Sequence, residues 1–269
     1  MNKFSSKNKL IERQLKQLNK KEEKLTAERN PGIIKTKLDP LKANIEEKIP
    51  EKLQVTLNIA FEKGFKTVFD KGIGIIEKTY NKENINMEFD IHSYAINKYP
   101  TKKNLKKIDK SANKKTFINK SVSAIEGSAL GLLGIGLPDI PIYIGVILKS
   151  IYEISLSYGF DYNSHEERVY ILNIISASVT LGTERKIYFN KLDTIASEID
   201  NNQYHDYNID ETLKETSNKI STYMLTSKFI QGLPIVGVIG GIANFKTLQD
   251  ISTIAKLKYK QRYLNKLLI

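Results

Sequence analysis

The stretch 118–160 reads INKSVSAIEGSALGLLGIGLPDIPIYIGVILKSIYEISLSYGF. From Ala129 to Leu148 it runs for twenty residues with a single charge, Asp139, which is long enough for a helix to cross a bilayer. Its centre is Gly-Leu-Pro-Asp-Ile-Pro, Gly136 to Pro141. Two prolines and a carboxylate at the midpoint argue against one uninterrupted spanning helix. The expected structure is a helical hairpin that turns at Pro138–Pro141. Its second arm, about Ile140 to Tyr158, would have Asp139 as N-cap and Pro141 in its first turn. Gly159 would then supply the left-handed stop, with Phe160 folding back on the helix.

Outward from this hairpin the pattern is helical throughout. No stretch alternates with period two, so an all-α bundle of nine or ten helices is expected around the apolar, Gly/Pro-broken hairpin. Residues 3–28 carry Ile11, Leu15, Leu18 and Leu25 at helical spacing, a thin stripe suited to late packing or to a partner. This divides the chain into a charged N-terminal helix, 1–30, and a helical domain, 31–269. Asn30-Pro31-Gly32 stops the first helix, and a second is expected over about 33–48. Pro50 opens a third, to about Tyr80, with a broad apolar face that includes Leu57, Phe61, Phe65, Val68 and Ile76. Gly64, Gly72 and Gly74 either weaken it or allow close helix contact. After a loop at 81–84, a short helix runs to Lys98 and a longer one covers about 101–134. Ser164 and Glu167 read as a capping box for a helix ending at Gly182. Helices at 184–200 and 208–227 follow, and the last runs from Gly232-Leu233-Pro234 to Leu264. Gly232–Pro234 echoes Gly136–Pro138, and Gly237-xxx-Gly241 echoes Gly127-xxx-Gly131, spacings that let helix backbones approach closely.

The net charge of +12 is unevenly spread. Residues 98–120 hold nine lysines and one acid, 218–269 hold eight bases and one acid, and 161–217 hold eleven acids and five bases. Each basic stretch adjoins an apolar one, which favours anionic lipid over nucleic acid. The run Lys102, Lys103, Lys106, Lys107, Lys110, Lys114, Lys115 has two readings, a solvated face or a contact with anionic headgroups at about 1 kcal/mol per base. No specific nucleic-acid module accompanies it. There is no cysteine, so disulfides and thiolate metal sites are excluded. The first thirty residues lack an apolar signal core, which implies a cytoplasmic start.

The chemistry of the side chains is less telling. No phosphate-binding loop, zinc-protease helix, nucleophile elbow or dinucleotide fingerprint occurs. His92, His165 and His205 have no metal-ligand spacing, so neither a metal nor a cofactor is expected. Glu126, Asp139 and Glu153 sit among apolar neighbours and are the candidate catalytic carboxylates for a hydrolase. Each also has a plain structural role: Asp139 as a cap, Glu153 paired with Lys149 four residues before it, Glu126 clasped by Lys149, Arg168 or Arg185.

Gly136–Pro141, Ile151-Tyr-Glu-Ile154, Tyr158-Gly-Phe-Asp161 and Glu166-Glu-Arg168, in this order and spacing, resemble the EcsC family of bacterial proteins. The Gly-rich closing run Ile235 to Phe245, with its Asn-aromatic pair, is similar to the family's last helix. Pro31-Gly32 and Ile49-Pro50 fit its N-terminal part, where a tryptophan expected before Pro31 is missing. The resemblance implies an accessory role near an ABC transporter and leaves any reaction undefined. Three functions follow as expectations. One is a non-enzymatic accessory protein on an anionic membrane surface or a membrane transporter, peripheral to the inner face of the cell membrane. The second is a soluble helical hydrolase built on carboxylates near the Pro-Asp-Ile-Pro turn. The third is a soluble protein-interaction module whose apolar hairpin is only its core. Substrate, partner identity and oligomeric state are left open.

Overall fold

The protein is described from a computed structural model over residues 3–27, 49–114, 139–203, 205–230 and 242–268. The described elements are all helical: α1 (Lys3–Thr26), α2 (Glu51–Thr67), a π-helical segment (Val68–Gly72), α3 (Ile73–Glu77), α4 (Lys82–Lys98), α5 (Lys102–Lys114), α6 (Asp139–Ser157), α7 (His165–Val179), α8 (Gly182–Asp200), α9 (Ile209–Ile230) and α10 (Ile242–Lys266). The all-α expectation is met, with α2, the π segment and α3 forming one continuous helical rod. Several sequence expectations fall outside the described residues. These are the helix at 33–48, the first arm of the hairpin with Glu126 and Pro138, Lys115, and the Gly232–Gly241 echo. The side chains of Lys114 and Asp139 are also outside them.

Two apolar helices form the centre. α6 is packed by α2, α4, α5 and α10, and α7 by α8, α9 and α10. Between Ile140 and Ser157, α6 meets the length and hydropathy of a membrane span, yet 89% of that window is buried inside the protein. A helix apolar all round is buried in lipid or in protein, and here its neighbours are protein. The expected second arm of the hairpin, 140–157, is therefore a core helix of the bundle. Gly64 lets α2 lie close to it, since a Cβ there would come within 2.7 Å of Ile144 Cδ1 and 3.1 Å of Ile140 Cγ2. At Gly74 a Cβ would meet nothing within 4 Å, so close contact explains only the first of these two glycines.

The turn from α6 to α7 follows the sequence closely. Gly159 adopts φ +80°, the Gly159 N–H donates to Leu156 O and the Phe160 N–H to Ser155 O, both at 3.0 Å. This pair of bonds is a Schellman stop. The Ser164 side chain accepts from the Glu167 N–H at 3.1 Å, giving half of the expected capping box. The other half is replaced, because the Glu167 carboxylate is buried and turned to α10.

Other boundaries move by small amounts for local reasons. Pro50 occupies the N-cap of α2 rather than its first turn. The loop after α3 closes at Asn81, whose side chain caps α4 by accepting from the Asn84 N–H at 2.7 Å. Gly182, at φ +56°, opens α8 instead of capping α7. The thin stripe of α1 is used within the chain: Ile11 is buried, Leu15, Leu18 and Leu25 pack against the core, and the helix lies on α8 and α10.

Candidate functional site

Of the three carboxylates proposed for hydrolysis, only Glu153 has a described side chain. Glu153 is 8% exposed on α6, one turn from Lys149, which is also buried. The side chains of its two proposed partners lie outside the described residues. No group of three or more His, Asp or Glu residues suited to a metal ion occurs among the described residues. The histidines play local parts: His165 Nε2 lies 2.6 Å from Tyr207 O, and the exposed His205 faces Glu198 at 3.5 Å. A shallow groove along α1 is lined, among the described residues, by Glu12, Leu15, Lys16, Asn19, Lys20 and Glu23, all from that one helix.

The polar clusters that do form are structural in character. The largest joins α7, α8 and α10. Arg262, 4% exposed, donates from Nη1 to both Glu167 oxygens at 3.0 and 2.7 Å, and from Nε and Nη2 to Asp200 at 2.9 and 3.0 Å. Tyr259 OH donates to Glu167 Oε1 at 2.7 Å. The guanidinium also lies 4.3 Å from the Phe160 ring centre and 5.1 Å from that of Tyr170. Burial pushes the Glu167 carboxyl up, while Arg262 and Tyr259 work against that rise. Burial alone would lower the Arg262 guanidinium; the Glu167 charge and the Asp200 bonds more than offset it, and the net direction is upward. Each ion thus has the bonds that a buried charge needs.

Two further clusters follow the same rule. Lys258, 1% exposed, donates to Glu22 at 3.0 Å and Asp193 at 2.8 Å and lies over the Phe189 ring. The pair with Glu22 ties α1 to α10. Near the α6–α7 turn, Tyr80 OH and Tyr162 OH are 2.6 Å apart, and Tyr162 OH donates to Glu77 at 2.6 Å. Burial first, then the bond to Glu77, push the Tyr162 phenol well up. Glu77 and Asp161 share Lys82 at 3.4 and 3.3 Å. Each carboxylate in these two clusters is already engaged.

The lysine run behaves differently. Leu105, Ile108 and Ala112 are buried and set α5 against α4 and α6. Lys102, Lys103, Lys106, Lys107 and Lys110 are all exposed. At 100° per residue they fall within an arc of about 140° opposite the buried stripe. None of the five has an ion-pair partner among the described residues, while the acid on the same helix, Asp109, is taken by Lys260 at 2.7 Å and Tyr158 OH at 3.2 Å. The run is therefore a single outward-facing row of positive charge. Five of the seven lysines of the run are described, and they lie on one outward face of α5.

Arg262, Glu167, Asp200 and Lys258 are important residues that sequence reading missed. The available signal was weak: one arginine among the lysines of α10, and a bidentate pair is where arginine is preferred to lysine.

Comparison with known proteins follows from this geometry. The profile of the EcsC protein family matches residues 12–264. The chain is 27% identical to "Protein EcsC" of Bacillus subtilis (strain 168) over 228 residues, covering 83% of this chain and 84% of that protein. It is 24% identical over 155 residues to "Uncharacterized protein YdbA" of the same organism, covering 53% of each. No solved structure matches.

Proposed function

The chain belongs to the EcsC protein family, and from that premise we propose that it is a non-enzymatic accessory protein that associates with an anionic membrane surface on the cytoplasmic side. The observation that carries this reading is the five-lysine row on α5. Its back is anchored in the core and its front has no acidic partner among the described residues. Each such base near an anionic surface contributes about 1 kcal/mol, so five pointing one way give reversible peripheral attachment without an inserted helix. The burial of α6 favours this over an inserted hairpin, because that apolar surface is already occupied by protein. The neighbourhood of a membrane transporter, implied by the family resemblance, fits the same location.

The test is flotation of the purified chain with vesicles, anionic or neutral, at low and at high salt. Binding to anionic vesicles at low salt, weakened at high salt and absent from neutral ones, is expected. A protein that stays at the bottom of the gradient under every condition overturns the reading. Capture by a purified transporter in detergent, with no vesicle binding, would reassign the lysine row to a protein partner.

A further inference from the structure

The helix beside the lysine row has two apolar faces. α4 turns Ile85 and Ile96 into the core, where they are 2% and 1% exposed, with Phe89 packed alongside. A second set, Met87, Ile91 and Tyr94, recurs at i, i+4 and i+7 and is 56%, 59% and 65% exposed. At 100° per residue this set is centred nearly opposite the first. Tyr99, at the corner joining α4 to α5, is 58% exposed. An amphipathic surface helix normally presents polar residues there, and this one presents a stripe of large apolar side chains. The other large apolar residues exposed among the described ones are Val55 with Ile59 on α2, and Leu181 and Ile187 by α8, each a pair rather than a stripe.

The stripe and the lysine row are neighbours. α4 and α5 pack side by side on α6. Asn104 of α5 donates to Ala95 O at 3.2 Å and to Tyr99 O at 2.8 Å, and Ser111 donates to Glu88 of α4 at 2.5 Å. These bonds hold the two helices in register with both outer faces on the same side of the bundle. Lys98 adds a cation to the stripe itself, with its Nζ 3.1 Å from Tyr94 OH. The acids of α4 sit at the margins. Glu88 faces α5 and is bonded there, Asp90 falls on the flank away from α5, and Glu83 lies at the start of the helix.

We infer that Met87, Ile91, Tyr94 and Tyr99 form an apolar docking seat which enters the headgroup–acyl boundary of an anionic membrane while the α5 lysines hold the headgroups beside it. This rests on the membrane reading above and goes further, because it assigns a hydrophobic contact and a definite orientation to the attachment. Charge complementarity decides the occupant. Apolar side chains banked by lysines match an anionic lipid interface, and tyrosines favour that depth, with the ring in the boundary and the hydroxyl in water. Two signals together also give firmer anchoring than either alone.

The chain has no tryptophan, so the substitution Tyr94→Trp places a single fluorescent reporter in the seat. With vesicles of mixed anionic and neutral lipid, its emission should shift to the blue and be quenched by lipids brominated near the headgroup end of the acyl chain. The double variant Met87→Ser/Ile91→Ser, checked for an unchanged thermal melt, should partition on the order of thirtyfold less. Flotation with vesicles while the reporter stays unshifted and unquenched would overturn the seat and leave electrostatic attachment standing. No binding to any vesicle would overturn the membrane reading and the seat with it. A blue shift that appears without lipid as protein concentration rises would assign the stripe to a second copy of the chain and overturn the lipid occupant. If the double variant fails to fold, the reporter alone decides.

Discussion

Positive charge is handled in opposite ways around α10 and on α5. Arg262 and Lys258 are all but sealed from water, and each is met by two carboxylates. Lys102, Lys103, Lys106, Lys107 and Lys110 stand in water with no acidic partner among the described residues. The difference separates structural charge from available charge. A buried ion without its partners would cost several kcal/mol, so the fold supplies them. An exposed lysine costs the fold almost nothing, so a one-sided row of them can serve an external partner. The same contrast holds for apolar residues, since those of α6 are consumed by the core and those on the outer face of α4 are not.

The largest effect that could break this contrast is on stability. Arg262→Ala leaves the buried Glu167 without a cation and Asp200 with only Lys266, 3.4 Å away, and should cost about 3–5 kcal/mol in urea unfolding. Lys106→Ala should change the same measurement by less than about 0.5 kcal/mol. Equal effects would show that the two kinds of charge are not distinct. The next is the response to alkali. Ten tyrosines among the described residues have phenols pushed above their ordinary value of 10.0, with burial the leading cause. In the unfolded chain they release protons near pH 10 and in the fold they keep them. Their contribution is thus intact below pH 10 and is lost as pH rises above it. Lys21 and Lys256, pushed down by burial, act with the opposite sign up to about pH 10.5, but two half-buried amines do not balance ten phenols. The unfolding free energy from urea titration should fall by roughly a few kcal/mol between pH 9.5 and about 11, with phenolate absorbance at 295 nm rising together with unfolding. Gradual phenolate formation in a chain that stays folded would contradict the tyrosine burial.

Smaller effects test the packing that holds the two regions in place. Gly159→Ala forces φ +80° on a residue with a Cβ and aims that atom at the Phe89 ring, 2.2 Å away. It should cost about 1–3 kcal/mol in urea unfolding. Gly74→Ala has open space around it and should stabilise by about 0.5–1 kcal/mol. The opposite sign at either glycine would show that its surroundings differ from those described.

How much of this was legible in the sequence depends on how local the cause is. The Schellman stop at Gly159, the Ser164 cap and the all-α class were readable, since each is set within a few residues. The buried second arm at 140–157 was readable as apolar, and only the fold shows that protein rather than lipid surrounds it. The Glu167–Arg262 pair spans 95 residues in sequence, and nothing near Glu167 announces it; the local pattern offered the carboxylate a capping role instead. The exposed stripe of α4 was not legible, for another reason. Its two apolar sets, Ile85/Phe89/Ile96 and Met87/Ile91/Tyr94, both fit a helical period, and periodicity does not say which set faces inward. The lysine row was legible as a run, but its one-sidedness needed Leu105, Ile108 and Ala112 to be placed in the core.

The central claim is that the α4–α5 face, rather than positive charge in general, carries the protein to anionic membranes. Two variants of equal net charge test it. One changes Lys102, Lys103, Lys106, Lys107 and Lys110 to Gln, and the other changes five exposed lysines elsewhere, Lys52, Lys63, Lys71, Lys186 and Lys214, to Gln. Partitioning onto anionic vesicles at physiological salt should fall by about a hundredfold or more for the first, and by no more than a few-fold for the second. Equal losses for both would mean that attachment follows net charge alone, and would contradict a dedicated docking face.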